Sequence, residues 1–284
     1  MVDLHEYVEY IKASCAPGSN LPGSYMRALR YVSEFLKTSV PKYTDLPPVW
    51  EIESLDVLDE LYAFLKAEEK KGDNSVFATT NLPQSYLKQR FCTSALRILS
   101  RFISERKRED MAVEAYSTLT SPEEVSEKLV EIPVLNPDLY LEDDILLNSR
   151  EGKEVVRQVK QRQNQNVFRR IVLLNYDCKC CVTGLPIKEV LRASHIVGWA
   201  EDETVRLSPD NGLCLSATYD AAFDRHLISF DEQYRLILAP SLKEYFSNDE
   251  FIKVFRTFEG KRMTRAVRFQ PSQKLLGRHR ELLK

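Results

Sequence analysis

The sequence predicts an α+β chain, a helical N-terminal part followed by a small unit of short strands and a short helix. Three observations carry this. Apolar residues recur at helical spacing through residues 1–110. After Tyr176 the apolar pieces shorten and are punctuated by turn signals. Between the two parts, residues 111–150 hold 9 acids against 2 bases and show weak periodicity.

In the first part, "YMRALRYVSEFLK" (25–37) puts Tyr25, Leu29, Val32, Phe35 and Leu36 at helical spacing. "SLDVLDELYAFLKAEEKK" (54–71) opens on Ser54, a suitable N-cap, and aligns Leu55, Leu58, Leu61 and Leu65 on one stripe. A third helix is expected over 83–109, with Tyr86, Leu87, Phe91, Leu96, Leu99, Phe102 and Ile103 on its apolar side. Proline-rich "PKYTDLPPVWEI" and polar "GDNSVFATTNLPQS" are connections, so a bundle of four or five helices is expected over 1–110. Residues 111–150 read as an acidic linker with one short helix from Pro122, capped by Ser121. A long helix is expected over 150–175, burying Phe168, Val172 and Leu173 and exposing Lys153, Arg157, Lys160, Arg162, Arg169 and Arg170.

From Tyr176 on, "CCVTGLP" reads as a strand and turn, "LRASHIVGWA" as a strand ending in a loop, and "SPDNGLCLS" as a turn into another strand. "ATYDAAFD" is a short helix, and "HLISFDEQYRLILAP" a hairpin turning near Asp231-Glu232. The tail has one helical stretch around "LKEYFSNDEFIKVF" and ends in "SQKLLGRHRELLK", expected to pack back onto the domain. The domains expected are therefore 1–110, helical; 111–150, linker; and 151–284, mixed.

Composition excludes several classes. With 43% hydrophobic and 29% charged residues in 284, the chain is globular and large enough for a real core. No run of eighteen apolar residues marks a membrane span. The N-terminal "MVDLHEYVEYIKASCAP" carries acids and lacks the apolar core of a signal peptide, so a cytoplasmic protein with six reduced cysteines is expected, without a membrane partner. Residues 1–150 hold 17 Lys and Arg against 25 Asp and Glu, whereas 151–284 hold 23 against 17. The basic half suits a polyanion, though unequal solvated surfaces would give the same counts.

The chemistry-bearing residues cluster in the second half. His195 lies in an apolar strand and could serve as a general base near neutral pH. Asn211 stands at the turn into the next strand, able to fix a loop or orient the base. Asp220, Asp224 and His226 fall within seven positions, with 220 and 224 on one helical face, and offer ligands to a hard divalent cation. Taken singly these are weak signals: a histidine in an apolar strand is commonly structural, and an Asp pair on a short helix is commonly solvated. Together, inside one strand–loop–strand–helix, they are specific.

The segment 176–230 resembles HNH endonucleases, the ββα-metal nucleases, and in particular the subgroup found in bacterial restriction-type nucleases. The matching pieces are "CVTGLP", "ASHIVGWA", "DNGLCLS" and "DAAFDRHLISF", with "KQRQNQNVFRRIVLLNY" upstream and "LLGRHRE" at the end, so that the resemblance covers roughly 150–284. It implies His195 as the base that activates water and Asn211 as the residue that positions the loop or the base. It implies Asp220 as a metal ligand and Asp224 as a second ligand or its support. One Mg²⁺ or Mn²⁺ per active site follows, with double-stranded DNA as substrate and 5′ phosphates on the products. Ser194 departs from the family, which often places a metal ligand there, and His226 stands where glycine is more usual. Cys178 and Cys181 form a C-x-x-C, but no second pair completes a structural zinc site, and a buried cysteine before the Thr-Gly turn is the simpler reading. Lys160, Arg162, Arg169, Arg170 and Arg206 are candidate phosphate contacts, with Arg206 alternatively paired to Asp210. His279 and Arg280 are expected to support the site, and Trp199 to pack. Three functions follow from the resemblance: a restriction-type nuclease acting as a homodimer, a defence nuclease activated by a small molecule or protein at the N-terminal domain, and a non-catalytic DNA-binding module on the same scaffold.

Overall fold

The structure is a computed structural model that describes residues 3–14, 18–132 and 150–284; side chains are described throughout except at Ser14, 150–152, 155, 156, 159 and 160. The chain divides into two compact units, the first running to Lys107 and the second opening at Arg108 and resuming at Arg157 through Lys284. Among the described residues no helix is long and apolar enough to cross a membrane.

The first unit is helical: α1 (Leu4–Ser14), α2 (Leu21–Ser39), α3 (Leu55–Lys71), α4 (Ser85–Lys88) and most of α5 (Phe91–Thr118). The α2 stripe is buried as Ala28, Leu29, Val32, Phe35 and Leu36. Ser54 caps α3 by accepting a hydrogen bond from the Val57 N–H. The single helix expected over 83–109 is broken: Arg90, at φ 60°, takes the left-handed conformation that ends α4, and α5 then runs on to Thr118.

The second unit corrects the expected linker. Residues 111–118 continue α5, and α6 (Pro122–Glu131) follows behind a capping box of Ser121 and Glu124. Ala112, Ala115, Tyr116, Val125, Leu129 and Ile132 are buried in the core of this unit. Their helical spacing forms an apolar stripe, and the acids of these two helices, Glu114, Glu123, Glu124, Glu127 and Glu131, are exposed. The rest of the expected linker, 133–149, lies outside the described residues.

α7 (Arg150–Asn175) buries Val167, Phe168, Ile171, Val172 and Leu173 beneath the sheet residues that follow. The "CCVTGLP" segment forms a turn and no strand. The Gly184 N–H donates to the Cys180 carbonyl, and the Cys181 N–H reaches the Cys214 carbonyl at 2.7 Å. Gly184, at φ 73°, supplies the left-handed corner. β1 (Leu191–His195) and β2 (Gly212–Ser216) pair antiparallel, with Leu191 opposite Ser216 and His195 opposite Gly212. α8 (Ala217–Asp224) follows β2 without a break and packs on both strands. β3 (Ile228–Phe230) and β4 (Leu236–Leu238) form a second hairpin whose turn is held by Asp231 Oδ1, which accepts the Gln233 and Arg235 N–H groups. The tail divides the expected helical stretch into a 3-10 turn at Pro240–Tyr245 and α9 (Asp249–Val254), and α10 (Gln273–Arg280) closes the unit. The architecture is α+β.

Candidate active site

His195 ends β1 opposite Gly212, and the pairing leaves no room there for a side chain. A Cβ on Gly212 would lie 2.3 Å from Val172 Cγ2 and 3.0 Å from Phe168 Cζ. That closeness brings Phe168 of α7 against the histidine. The two rings stack at 3.8 Å between centroids and 11°, and Trp199 meets His195 edge-on at 5.6 Å.

The imidazole Nε2 lies 3.0 Å from the backbone carbonyl of Arg206. A carbonyl only accepts, so Nε2 carries the proton and, in the neutral ring, the lone pair sits on Nδ1. Burial pushes the His195 pKa below the usual imidazole range, against a smaller opposing effect from the Arg206 carbonyl. At neutral pH His195 is therefore an uncharged base.

Asn211 fixes the loop that supplies that carbonyl. It is fully buried; its Oδ1 accepts the Val197 N–H at 2.9 Å, and its Nδ2 donates to Val197 O at 3.2 Å and Val205 O at 3.1 Å. Its own carbonyl accepts the Ile196 N–H at 2.9 Å. Both ends of the loop from Ile196 to Asn211 are thus pinned by one residue. The hydrogen bonds of the Asn211 side chain all go to this loop.

Asp220 and Asp224 project one turn apart from α8. Ser194, the β1 neighbour of His195, donates its hydroxyl hydrogen bond to Asp220 Oδ1. Partial burial and the nearby Asp220 carboxylate raise the Asp224 pKa. Ser194, His195, Asp220, Asp224, His226 and His279 all line one open cleft of about 590 Å³. Among the described residues no three of His, Cys, Asp and Glu are arranged to hold a metal.

His226 follows α8 at φ 55°, a backbone conformation easy for glycine and strained for other residues. Its Nδ1 lies 3.2 Å from His279 Nε2. His279, on α10, is 3% exposed and stacks on Phe223 at 3.7 Å, and burial lowers its pKa to about 4.

The candidate phosphate contacts divide into two groups. Arg162 and Arg170 are exposed on α7, and the Lys160 side chain lies outside the described ones. Arg169 lines the cleft, but its guanidinium donates to the backbone carbonyls of Leu191, at 2.8 Å, and Lys188, at 3.3 Å, anchoring the start of β1. The Arg206 side chain pairs with Glu203 at 2.9 Å and lies over the Trp199 ring at 5.3 Å, while Asp210 accepts instead from Ser208. Gln165, Asn166 and Arg192 also line the cleft and were not singled out in the sequence. The available signals were weak: Gln165 and Asn166 sit a turn ahead of Arg169 on α7, and Arg192 shares its strand face with Ser194.

Of the cysteines near the turn, Cys180, Cys181 and Cys214 are buried and Cys178 is half-buried, all as free thiols. Burial pushes the Cys214 thiol up to about 12.

Residues 180–231 match the family model described as HNH endonuclease. The matched span runs from the buried Cys180 through β1, β2, α8 and β3 to the Asp231 turn. It contains His195, Asn211, Asp220, Asp224 and His226. No curated protein matches the chain.

Proposed function

We propose that the chain, carrying an HNH endonuclease segment, is a metal-dependent endonuclease that hydrolyses phosphodiester bonds of double-stranded DNA with His195 as the general base. The observation that carries this reading is the imidazole's setting: a neutral ring with Nε2 tied to the Arg206 carbonyl and Nδ1 left basic, in a cleft shared with two carboxylates.

In this mechanism His195 Nδ1 takes a proton from a water, and the resulting hydroxide attacks phosphorus in line with the 3′ oxygen that leaves. The P–O3′ bond breaks and the 5′ phosphate stays on the other fragment. Asn211 keeps the Arg206 carbonyl, and with it the imidazole tautomer, in place. Phe168 and Trp199 hold the ring plane.

The donor set suits a Mg²⁺ or Mn²⁺ ion. Asp220 and Asp224 offer two carboxylates on one face of α8, and such ions are commonly held by one or two carboxylates with water and substrate phosphate completing the shell. Asp224 is exposed, and partial desolvation with the neighbouring Asp220 charge raises its pKa, a like-charge cost that a bound cation relieves. Asp220 and Asp224 would hold the ion, which when bound neutralises charge developing on the phosphate and the leaving oxygen.

A role in restriction or defence against foreign DNA, in the cytoplasm and as a homodimer, is the extension supported by the resemblance to restriction-type nucleases. A two-fold axis would match two single sites to the two strands. The first unit would then serve DNA recognition, dimerisation or response to an activator, with exposed Arg162 and Arg170 positioning the duplex.

The deciding experiment is nicking of supercoiled plasmid in Mn²⁺ by the parent and by His195→Ala. Loss of nicking in the variant, with an unchanged unfolding transition, is the expected result. Nicking equal to the parent's removes His195 as base and leaves the non-catalytic DNA-binding reading, to which Ser194 in a usual ligand position already points.

A further inference from the structure

We infer that His226 meets the DNA as a hydrogen-bond donor, presenting an Nε2–H to a backbone phosphate oxygen, and that His279 and Ser229 set this tautomer. The inference rests on the nuclease reading for the identity of the ligand, but its geometric basis is independent of it.

The carbonyl of Phe223 lies 3.1 Å from His279 Nε2. That oxygen can only accept, so His279 Nε2 bears a hydrogen whatever the charge on the ring. The other nitrogen, Nδ1, sits 3.0 Å from the Ser229 hydroxyl, which is fully buried and closes the chain. His226 Nδ1 lies 3.2 Å from the same Nε2–H. Two N–H groups facing each other would repel, so His226 Nδ1 is an acceptor and its proton is on Nε2. A nitrogen that carries a proton has no lone pair for a metal. His226 lines the cleft beside Asp224 and therefore brings a donor to it rather than a ligand. This replaces the metal-ligand role expected for His226 from its position in the sequence.

The surroundings explain why a histidine stands there. At φ 55° a side chain costs backbone strain that glycine would avoid. The conformation is held by the His226 N–H on Phe223 O at 2.8 Å and by the Lys284 N–H on His226 O at 3.2 Å. His279 is buried and stacked on Phe223, so the direction of the His226 ring is set by an enclosed partner. A cleft whose floor carries two carboxylates needs a donor that brings no metal affinity of its own, and a neutral N–H serves a phosphate oxygen well.

Two measurements test this. The first uses the native chain with ¹⁵N-labelled histidine, without metal or DNA; only four histidines contribute signals. Long-range ¹H–¹⁵N spectra are expected to show His226 with a protonated Nε2 and a bare Nδ1. The reverse tautomer overturns the inference. The second compares His195→Ala with His195→Ala/His226→Ala, neither of which need cleave. Mn²⁺ affinity, followed by electron paramagnetic resonance, is expected to be equal, while affinity for a duplex at fixed salt falls about tenfold, the size of one hydrogen bond to a charged group. A fall in Mn²⁺ affinity, or an unchanged duplex affinity, overturns it. Failure of the nuclease reading shows separately, as undiminished nicking in His195→Ala, and leaves the tautomer result standing.

Discussion

Replacing Asn211 by alanine removes three hydrogen bonds at once in a fully buried place. Left without partners are the Val197 N–H and the Val197 carbonyl, while the Val205 carbonyl keeps the Ser208 N–H at 3.1 Å. Each orphaned buried group costs about 1–3 kcal/mol, and a water entering the space recovers part of that, so a loss of roughly 2–4 kcal/mol is expected. Asn211→Asp sharpens the reasoning. The carboxylate still accepts the Val197 N–H, but its second oxygen now faces two carbonyl oxygens at 3.2 and 3.1 Å. Its pKa must rise in the folded state, so between pH 7 and pH 5 this variant gains stability relative to the parent, opposite in slope to a salt-bridged aspartate. Function is lost alongside. Val205 precedes the residue whose carbonyl fixes the His195 tautomer, and a displacement of about 1 Å at a catalytic group costs on the order of a hundredfold in rate. Urea unfolding at both pH values, with plasmid nicking at a temperature where the variant stays folded, measures both effects. An alanine variant within about 1 kcal/mol of the parent that also nicks normally would refute the view that Asn211 organises the site.

Two further outcomes are expected. Gly212→Ala forces a methyl to 2.3 Å from Val172 Cγ2 and 3.0 Å from Phe168 Cζ; it should destabilise by about 1–3 kcal/mol and slow nicking, because the ring it displaces is the one stacked on His195. A parent-like urea midpoint would contradict the close approach. His279 has a folded pKa of about 4 against about 6.5 unfolded, so below pH 6.5 the unfolded chain takes up a proton that the folded chain refuses, and stability falls as pH drops toward 4. The parent should lose about 2 kcal/mol more than His279→Gln between pH 7 and pH 5, read from urea curves; equal slopes would show the histidine to be accessible to protons.

Local signals in the sequence carried far. Ser54 and Ser121 cap the helices they precede, because the capping bond is made within one turn. The approach of His195, Asp220 and Asp224 to one cleft was readable because two paired strands and a helix following the second directly leave little freedom, whatever the length of the loop between the strands. Features built across long separations were not. Nothing near Phe168 announces that it stacks on a ring twenty-seven positions away, and the contact of His226 with His279 spans 53 residues. The helix from Pro122 was legible, but the burial of 111–132 was hidden by its acids, since net charge describes the exposed faces and says nothing of Ala112, Tyr116 or Leu129 beneath. Arg90 gave no sign of breaking a helix, because arginine has high helical propensity and its left-handed conformation is imposed by the surrounding fold.

The clamp of Phe168 and Trp199 on His195 joins two properties that proteins often keep apart. Phe168 belongs to the buried core of its unit and also borders the cleft. In the proposed mechanism the orientational entropy of the base is therefore surrendered during folding, before any substrate arrives. A change of packing at Phe168, Val172 or Gly212 would then reach the imidazole directly, so that a substitution in the core would alter the rate together with the stability.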